Sequence, residues 1–320
     1  LDKSRRSPSN NPDASRPPGS IPQSLDDLRN WIQSLPNDEA ISWIRSFLNQ
    51  GTDKNTGLPF EIAADGSLKQ WPTFRTYLLD TLLAIDPASA ASISREILTE
   101  PTTADEWALA LRNVGRAGDE PEKIRDFLRQ KTEELIQNPT WQANPSIGYL
   151  NAFDVLVHTQ ATESTPLLSG LIQNKDRKDL AHAAFLTLDR LVQRQPSDML
   201  ERLSADPSLA TSRPEMAAQQ FARADLRDER QRELVQQWLL APERTATELN
   251  AFAGIFPNHN QFVSNNLLTR DAPVSGADLA NHDREVLGIV ITWQADPAFQ
   301  PVADHLQTMV ARLSQFTHSR

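Results

Sequence analysis

The chain has 320 residues, of which 39% are hydrophobic and 23% charged, with a net charge of −10 and no cysteine. That length can bury a large core and permits two ordinary domains or one elongated array. Without cysteine there are no thiolate zinc sites, Fe–S clusters, thiol nucleophiles or disulfides, and an acidic body argues against a nucleic-acid or anionic-membrane partner.

Only 11 glycines and two tyrosines are present, few for a β-rich protein, whose turns and strands consume both. Leu, Ala, Gln, Glu and Arg dominate instead, and these are good helix formers. No apolar run is long enough for a membrane span or a signal-peptide core. The chain begins at Leu1 rather than Met. With the lack of free thiols, which are an oxidation liability outside the cytoplasm, this leads to the expectation of an exported protein, periplasmic or tethered to the envelope.

Residues 1–23 hold five prolines and three apolar residues. Such a segment buries too little surface to offset its ordering entropy and reads as a disordered tether. Residues 24–320 read as the folded helical domain, with a possible subdivision near 140–145. The first helix is expected from Leu25 to Leu35, capped by Ser24, with Leu25, Leu28, Trp31, Ile32 and Leu35 on one face. A second follows, capped by Asn37 and ending before Gly51.

Residues 52–73 (TDKNTGLPFEIAADGSLKQWPT) break the helical period. Phe60 and Ile62 alternate with polar or small residues, Asp65-Gly66 is a favoured tight-turn pair, and Leu68 and Trp71 follow. A small β-hairpin over about residues 59–70 is expected as a cover on the first helices. Asp53, Asn55 and Glu61 resemble the start of a calcium loop. Counted from Asp53, though, Gly57 and Leu58 occupy the fifth and sixth positions and Ala64 the twelfth, so the closing carboxylate is absent. A polar turn is the preferred reading.

Further helices are expected at 73–85, 87–99, 104–116, 121–137, 146–159, 166–173, 178–194, 197–204, 214–223, 226–240, 246–255, 260–268, 277–294 and 300–316. Asp86-Pro87, Gln195-Pro196 and Asp296-Pro297 each sit where one helix ends and the next begins, and proline suits a helix's first turn. The fold class is therefore all-α, an array of antiparallel helical hairpins with one β-hairpin insertion. On those three junctions the chain resembles α-solenoid proteins of the HEAT-like kind, in architecture over residues 24–316. It departs from them in having no fixed repeat period, and an irregular helical globule is the alternative.

Chemistry-bearing motifs are sparse. There is no phosphate loop, no GxSxG elbow and no HExxH pair. The densest polar clusters are PNHNQF at 257–262 and NHDRE at 281–285. Asn258 reads as a helix cap, and His282 and Asp283, adjacent on a helix, are expected to diverge by about 100°. Asp105-Glu106, Glu133-Glu134 and Asp228-Glu229 read as solvent-facing helix residues. No cofactor and no metal is expected. Core packing accounts for most of the seven tryptophans. Trp71 and Trp141, in connections beside prolines, are candidates for an exposed recognition surface, together with Phe60 and Asp65 of the hairpin. The leading expectation is a non-catalytic scaffold that binds a protein or peptide. The alternatives are a hydrolase with a helical acid/base site and a structural assembly subunit.

Overall fold

The computed structural model describes residues 20–117, 121–261 and 266–319. Its elements, in chain order, are α1 (Ile21–Ser34), α2 (Asn37–Leu48), β1 (Glu61–Ile62), β2 (Leu68–Gln70), α3 (Phe74–Ile85), α4 (Pro87–Ile97), α5 (Ala104–Arg116), α6 (Pro121–Gln137), α7 (Pro139–Ala143), α8 (Ile147–Ala152), α9 (Asp154–His158), α10 (Thr165–Gln173), α11 (Lys178–Arg194), α12 (Pro196–Ala205), α13 (Ser208–Ser212), α14 (Pro214–Phe221), α15 (Glu229–Leu240), α16 (Ala246–Ile255), α17 (Gly276–Ala295) and α18 (Ala303–Ser319). Short 3-10 turns precede α10 (Thr162–Ser164) and α18 (Pro297–Val302). The protein is all-α with one two-stranded antiparallel hairpin.

Helix starts follow local capping chemistry. Thr73, Thr103 and Thr245 each accept a backbone N–H three residues ahead, satisfying donors that an α-helix leaves open at its N-terminus. At the three proline junctions, α4 and α12 begin at Pro87 and Pro196, and a 3-10 turn begins at Pro297. With only Asp86 between them, α3 and α4 fold back on each other. Packing is mainly between near neighbours: α4 on α5, α10 on α11, and α17 on α18. Longer steps join α12 to α15, α14 to α16 and α16 to α18. Across residues 140–145, α5 packs on α8 and α6 on α9.

Several boundaries differ from the sequence reading. The first helix starts at Ile21, capped by Ser20 rather than Ser24. It therefore takes in the last residues assigned to the tail, whose remainder, 1–19, lies outside the described residues. Trp31 turns outward at 44% exposure and meets Trp43 edge-on at 5.4 Å. The expected 146–159 helix is two pieces that meet at Phe153. No helix occupies Asn260, Gln261 or Asn266–Leu268, and the rest of that expected segment lies outside the described residues. There the backbone is spent on tertiary bonds instead. Asn258 N donates to Ala222 O at 2.8 Å, and Leu268 N and Thr269 N donate to the Asp154 carboxylate at 2.8 and 3.0 Å.

The Asp105-Glu106 pair is also not solvent-facing. Glu106 is buried against Arg75 at 2.5 Å. Asp105 accepts from Ser146 Oγ at 2.5 Å and Gly148 N at 2.9 Å, and burial still pushes its carboxyl above the ordinary range.

The hairpin pairs Glu61 with Gln70 and Ile62 with Leu68. Gly66 takes a positive φ of 79° at its turn, which an L side chain resists. Below it, Phe60, Ile62, Leu68 and Trp71 are buried and fill the space against the helices. Asp80 of α3 holds the hairpin down by accepting Leu68 N at 3.2 Å and Trp71 Nε1 at 2.8 Å. Arg112 of α5 completes this clasp with bonds to Asp80 Oδ1 at 2.6 Å and Gly66 O at 3.0 Å. On the outer side, the turn meets the C-terminal strap of residues 266–271. A Cβ at Gly66 would collide with Arg116, Arg270 and the Leu267 carbonyl.

Candidate functional site

The calcium-loop-like group of Asp53, Asn55 and Glu61 does not assemble. Asp53 Oδ1 accepts Lys54 N at 2.8 Å and Arg75 N at 3.0 Å, Asn55 Oδ1 accepts Gly57 N at 2.6 Å, and Glu61 pairs with Lys69 at 3.2 Å. The Asp53 and Asn55 oxygens set turns and tie down the start of α3, and Glu61 makes an ion pair across the hairpin.

Of the expected recognition residues, Trp71 lies inside at 4% exposure and Phe60 is likewise buried. Burial gives Trp71 Nε1 its partner in Asp80, so this ring anchors the hairpin and presents no outer face. Trp141 is half-buried and packs edge-on against Trp107 at 5.3 Å. Asp65 is exposed, but its carboxylate is bound to Ser67 Oγ at 2.6 Å and Ser67 N at 2.9 Å, which hold its pKa below the usual value. The structure does not gather these four residues into one site.

It does bring together residues of the two dense polar clusters, PNHNQF and NHDRE. The turn after α14 and the loop after α16 are joined by the Asn258–Ala222 backbone bond. Arg223 reinforces the joint, bonding Asn258 O at 2.9 Å and the buried Asp189 of α11 at 2.8 Å. This places His259 against the second turn of α17. His259 Nε2 lies 2.6 Å from Asp283 Oδ1, and His282 Nδ1 lies 3.0 Å from the same oxygen. The two rings meet edge-on with centroids 5.1 Å apart.

His282 Nε2 faces the opposite way, 3.5 Å from Asp225 Oδ1. Asp225 is fixed in turn by Arg227, whose backbone N donates at 3.0 Å and whose guanidinium donates at 2.7 Å. Burial opposes the charge on His282, but the bonds to Asp225 and Asp283 outweigh it and raise the imidazole pKa above its ordinary value. Burial likewise works against ionised Asp225, and the bonds from His282 and Arg227 overcome it and hold that carboxyl far below the usual range.

The side chain of Asp283 has no solvent exposure, whereas His259 and His282 are partly exposed. Both imidazoles line an open cleft of about 650 Å³. Its walls are mostly polar and come mainly from three distant parts of the chain, the turn at Asp225 and Arg227, the loop at Asn258, His259 and Gln261, and α17 at Asp278, His282 and Glu285, with Gln193 of α11 beside them. A cavity of this size suits a small molecule or a few peptide residues. His259, His282 and Asp283 also form a set of metal-type ligands whose atoms all lie within 4.8 Å of one another.

Nothing in local spacing announces this cluster. His259 and Asp283 are 24 residues apart, and the sequence holds no HExxH motif. His282 and Asp283 were expected to diverge, yet Nδ1, the ring nitrogen nearer the backbone, turns back onto the neighbouring carboxylate. Comparison with protein-family models, with curated proteins and with solved structures finds no match.

Proposed function

We propose that the protein is a helical binding scaffold whose working site is the polar cleft between the Ala222–Arg227 turn, the Pro257–Gln261 loop and the first half of α17. The observation that carries this reading is convergence. Three chain-distant segments present Arg227, Asn258, His259, Asn281, His282 and Glu285 to one open cavity. Polar groups of both signs, with the two imidazoles held by the buried Asp283 behind them, suit the backbone and side chains of a short polar peptide. The near-neighbour packing of most helices, as in HEAT-like arrays, supports the scaffold side of the reading.

Selection of random displayed peptides against the immobilised protein, followed by resonance mapping on the isotope-labelled chain, tests it. Selected peptides are expected to shift resonances of Arg227, His282 and Glu285 and to lose binding to Arg227→Glu. Failure to enrich any peptide, or shifts confined to another face, overturns the proposal.

A second reading, a hydrolase, is favoured by one specific contact. His259, 2.6 Å from a fully buried carboxylate and open to the cleft, has the arrangement of an oriented general base acting on water. A panel of chromogenic esters, phosphoesters and glycosides tests it, with turnover expected from the wild type and lost in His259→Gln.

A further inference from the structure

We propose that His259, His282 and Asp283 bind a single divalent transition-metal ion of the zinc class at the floor of the cleft. This deepens the reading of the cleft as the working site and rests on that placement, though not on the peptide ligand.

The ligand set comes first. Two imidazole nitrogens and one carboxylate oxygen suit borderline cations such as zinc, cobalt or iron(II), whereas calcium and magnesium call for all-oxygen shells. The geometry is close to that of a site. His259 Nε2 and His282 Nδ1 stand 2.6 and 3.0 Å from one oxygen of Asp283, and all three ligand atoms lie within 4.8 Å. Bonds of about 2.0–2.2 Å to a shared ion require ligand atoms roughly 3–3.5 Å apart in tetrahedral geometry. From the separations present, displacements of the ligand atoms on the order of an ångström would reach that spacing.

The surroundings supply a second, independent mark. An imidazole that ligates a metal through one nitrogen usually gives its other N–H to a carboxylate, which fixes the tautomer and the ring plane. Asp225 stands at that position, 3.5 Å from His282 Nε2, and is itself clamped by Arg227. Charge is compatible. Asp225, Asp278 and Glu285 line the cleft and Asp283 lies buried beneath it, against Arg223 and Arg227 in the cleft wall and Arg312 of α18, which lies within electrostatic reach of Asp283. Asp283 is sealed below while both imidazoles line the cleft, so the remaining coordination positions face the open side. A three-ligand site with an open position is the pattern of zinc centres that bind a water or a ligand atom.

The experiment is calorimetric titration of chelator-treated, dialysed full chain with zinc sulfate near neutral pH, with cobalt(II) absorption as a spectroscopic check. One ion per chain is expected, with micromolar or tighter affinity and visible d–d bands for cobalt. His259→Gln and Asp283→Asn are expected to abolish binding, and His182→Gln, on α11, to leave it unchanged. Asp225→Asn, a positioning change, is expected to weaken it by about 10–100-fold. In the wild type, zinc is expected to move the ring resonances of His259 and His282 but not of His182, a readout that does not depend on any variant folding. Absence of zinc and cobalt binding, unmoved ring resonances, or a folded His259→Gln that binds like wild type overturns the proposal. Peptide binding is measured on the metal-free protein, so either result can fail while the other stands.

Discussion

Arg112 and Asp80 form an ion pair at 2.6 Å with both side chains inside the helical body, and this pair fastens the hairpin to α3 and α5. Asp80 accepts three donors, Leu68 N, Trp71 Nε1 and Arg112 Nη1, through both carboxylate oxygens, so its charge is well compensated. Removing the cation strands that charge. Arg112→Met is expected to destabilise the protein by about 3–5 kcal/mol in urea unfolding. Replacing both members with well-packed apolar residues is expected to recover much of that loss.

Two glycines with positive φ separate backbone strain from steric contact. Gly51 (φ 68°) faces open space, and Gly66 (φ 79°) faces the Leu267 carbonyl and two arginines. Gly51→Ala is expected to cost about 1–2 kcal/mol for the left-handed backbone alone. Gly66→Ala adds the collision and is expected to cost roughly 3 kcal/mol or more. Equal midpoints for the two variants in a denaturant titration would contradict this.

Asp154, at the start of α9, is the peg on which the strap hangs. It accepts Leu268 N, Thr269 N and the Thr269 hydroxyl, and Arg190 Nη1 at 2.7 Å. Asp154→Ala is expected to lose about 3–5 kcal/mol of stability. Hydrogen exchange at the Leu268 and Thr269 amides should accelerate more than exchange in α3.

The far end of the strap responds to acid. Partial burial opposes the charge on Asp271, but bonds from Arg194 and Arg190 outweigh it and lower its pKa below the ordinary 3.8. A depressed carboxyl contributes stability above its unfolded pKa and loses it as pH falls through the folded value. The stability difference between wild type and Asp271→Asn is therefore expected to be constant near neutrality and to shrink below about pH 4. Asp271 is 40% exposed, so solvent screening keeps the whole effect modest, and added salt is expected to reduce it further.

Where local chemistry decides structure, the residues announce it. Thr103 and Thr245 cap α5 and α16, and the helices expected at 104–116 and 246–255 begin and end there. Asp65-Gly66 marked the hairpin turn for the same reason. Tertiary competition hid the rest. Asn258 has the character of a cap, but its backbone is taken by Ala222 and Arg223, and no helix follows at Asn260 or Gln261. Trp71 sits beside a proline, as an exposed connector does, but the buried Asp80 gives its ring nitrogen a partner inside. The His259–His282–Asp283 cluster depends on a loop–turn junction secured by Arg223 and Asp189, 34 residues apart, which no spacing rule encodes.

The strap has a consequence for how the molecule comes apart. In a linear helical array each unit touches only its neighbours, so the ends can fray while the middle persists. Here residues 266–271 bind α5 through Arg116, α9 through Asp154, α11 through Arg190 and Arg194, and lie against the turn at Gly66. Neither the hairpin region nor the C-terminal region can peel away without breaking contacts of the other. Melting should therefore be a single cooperative event, with calorimetric and van't Hoff enthalpies that agree. Cutting the chain before Asn266 should split it into two transitions.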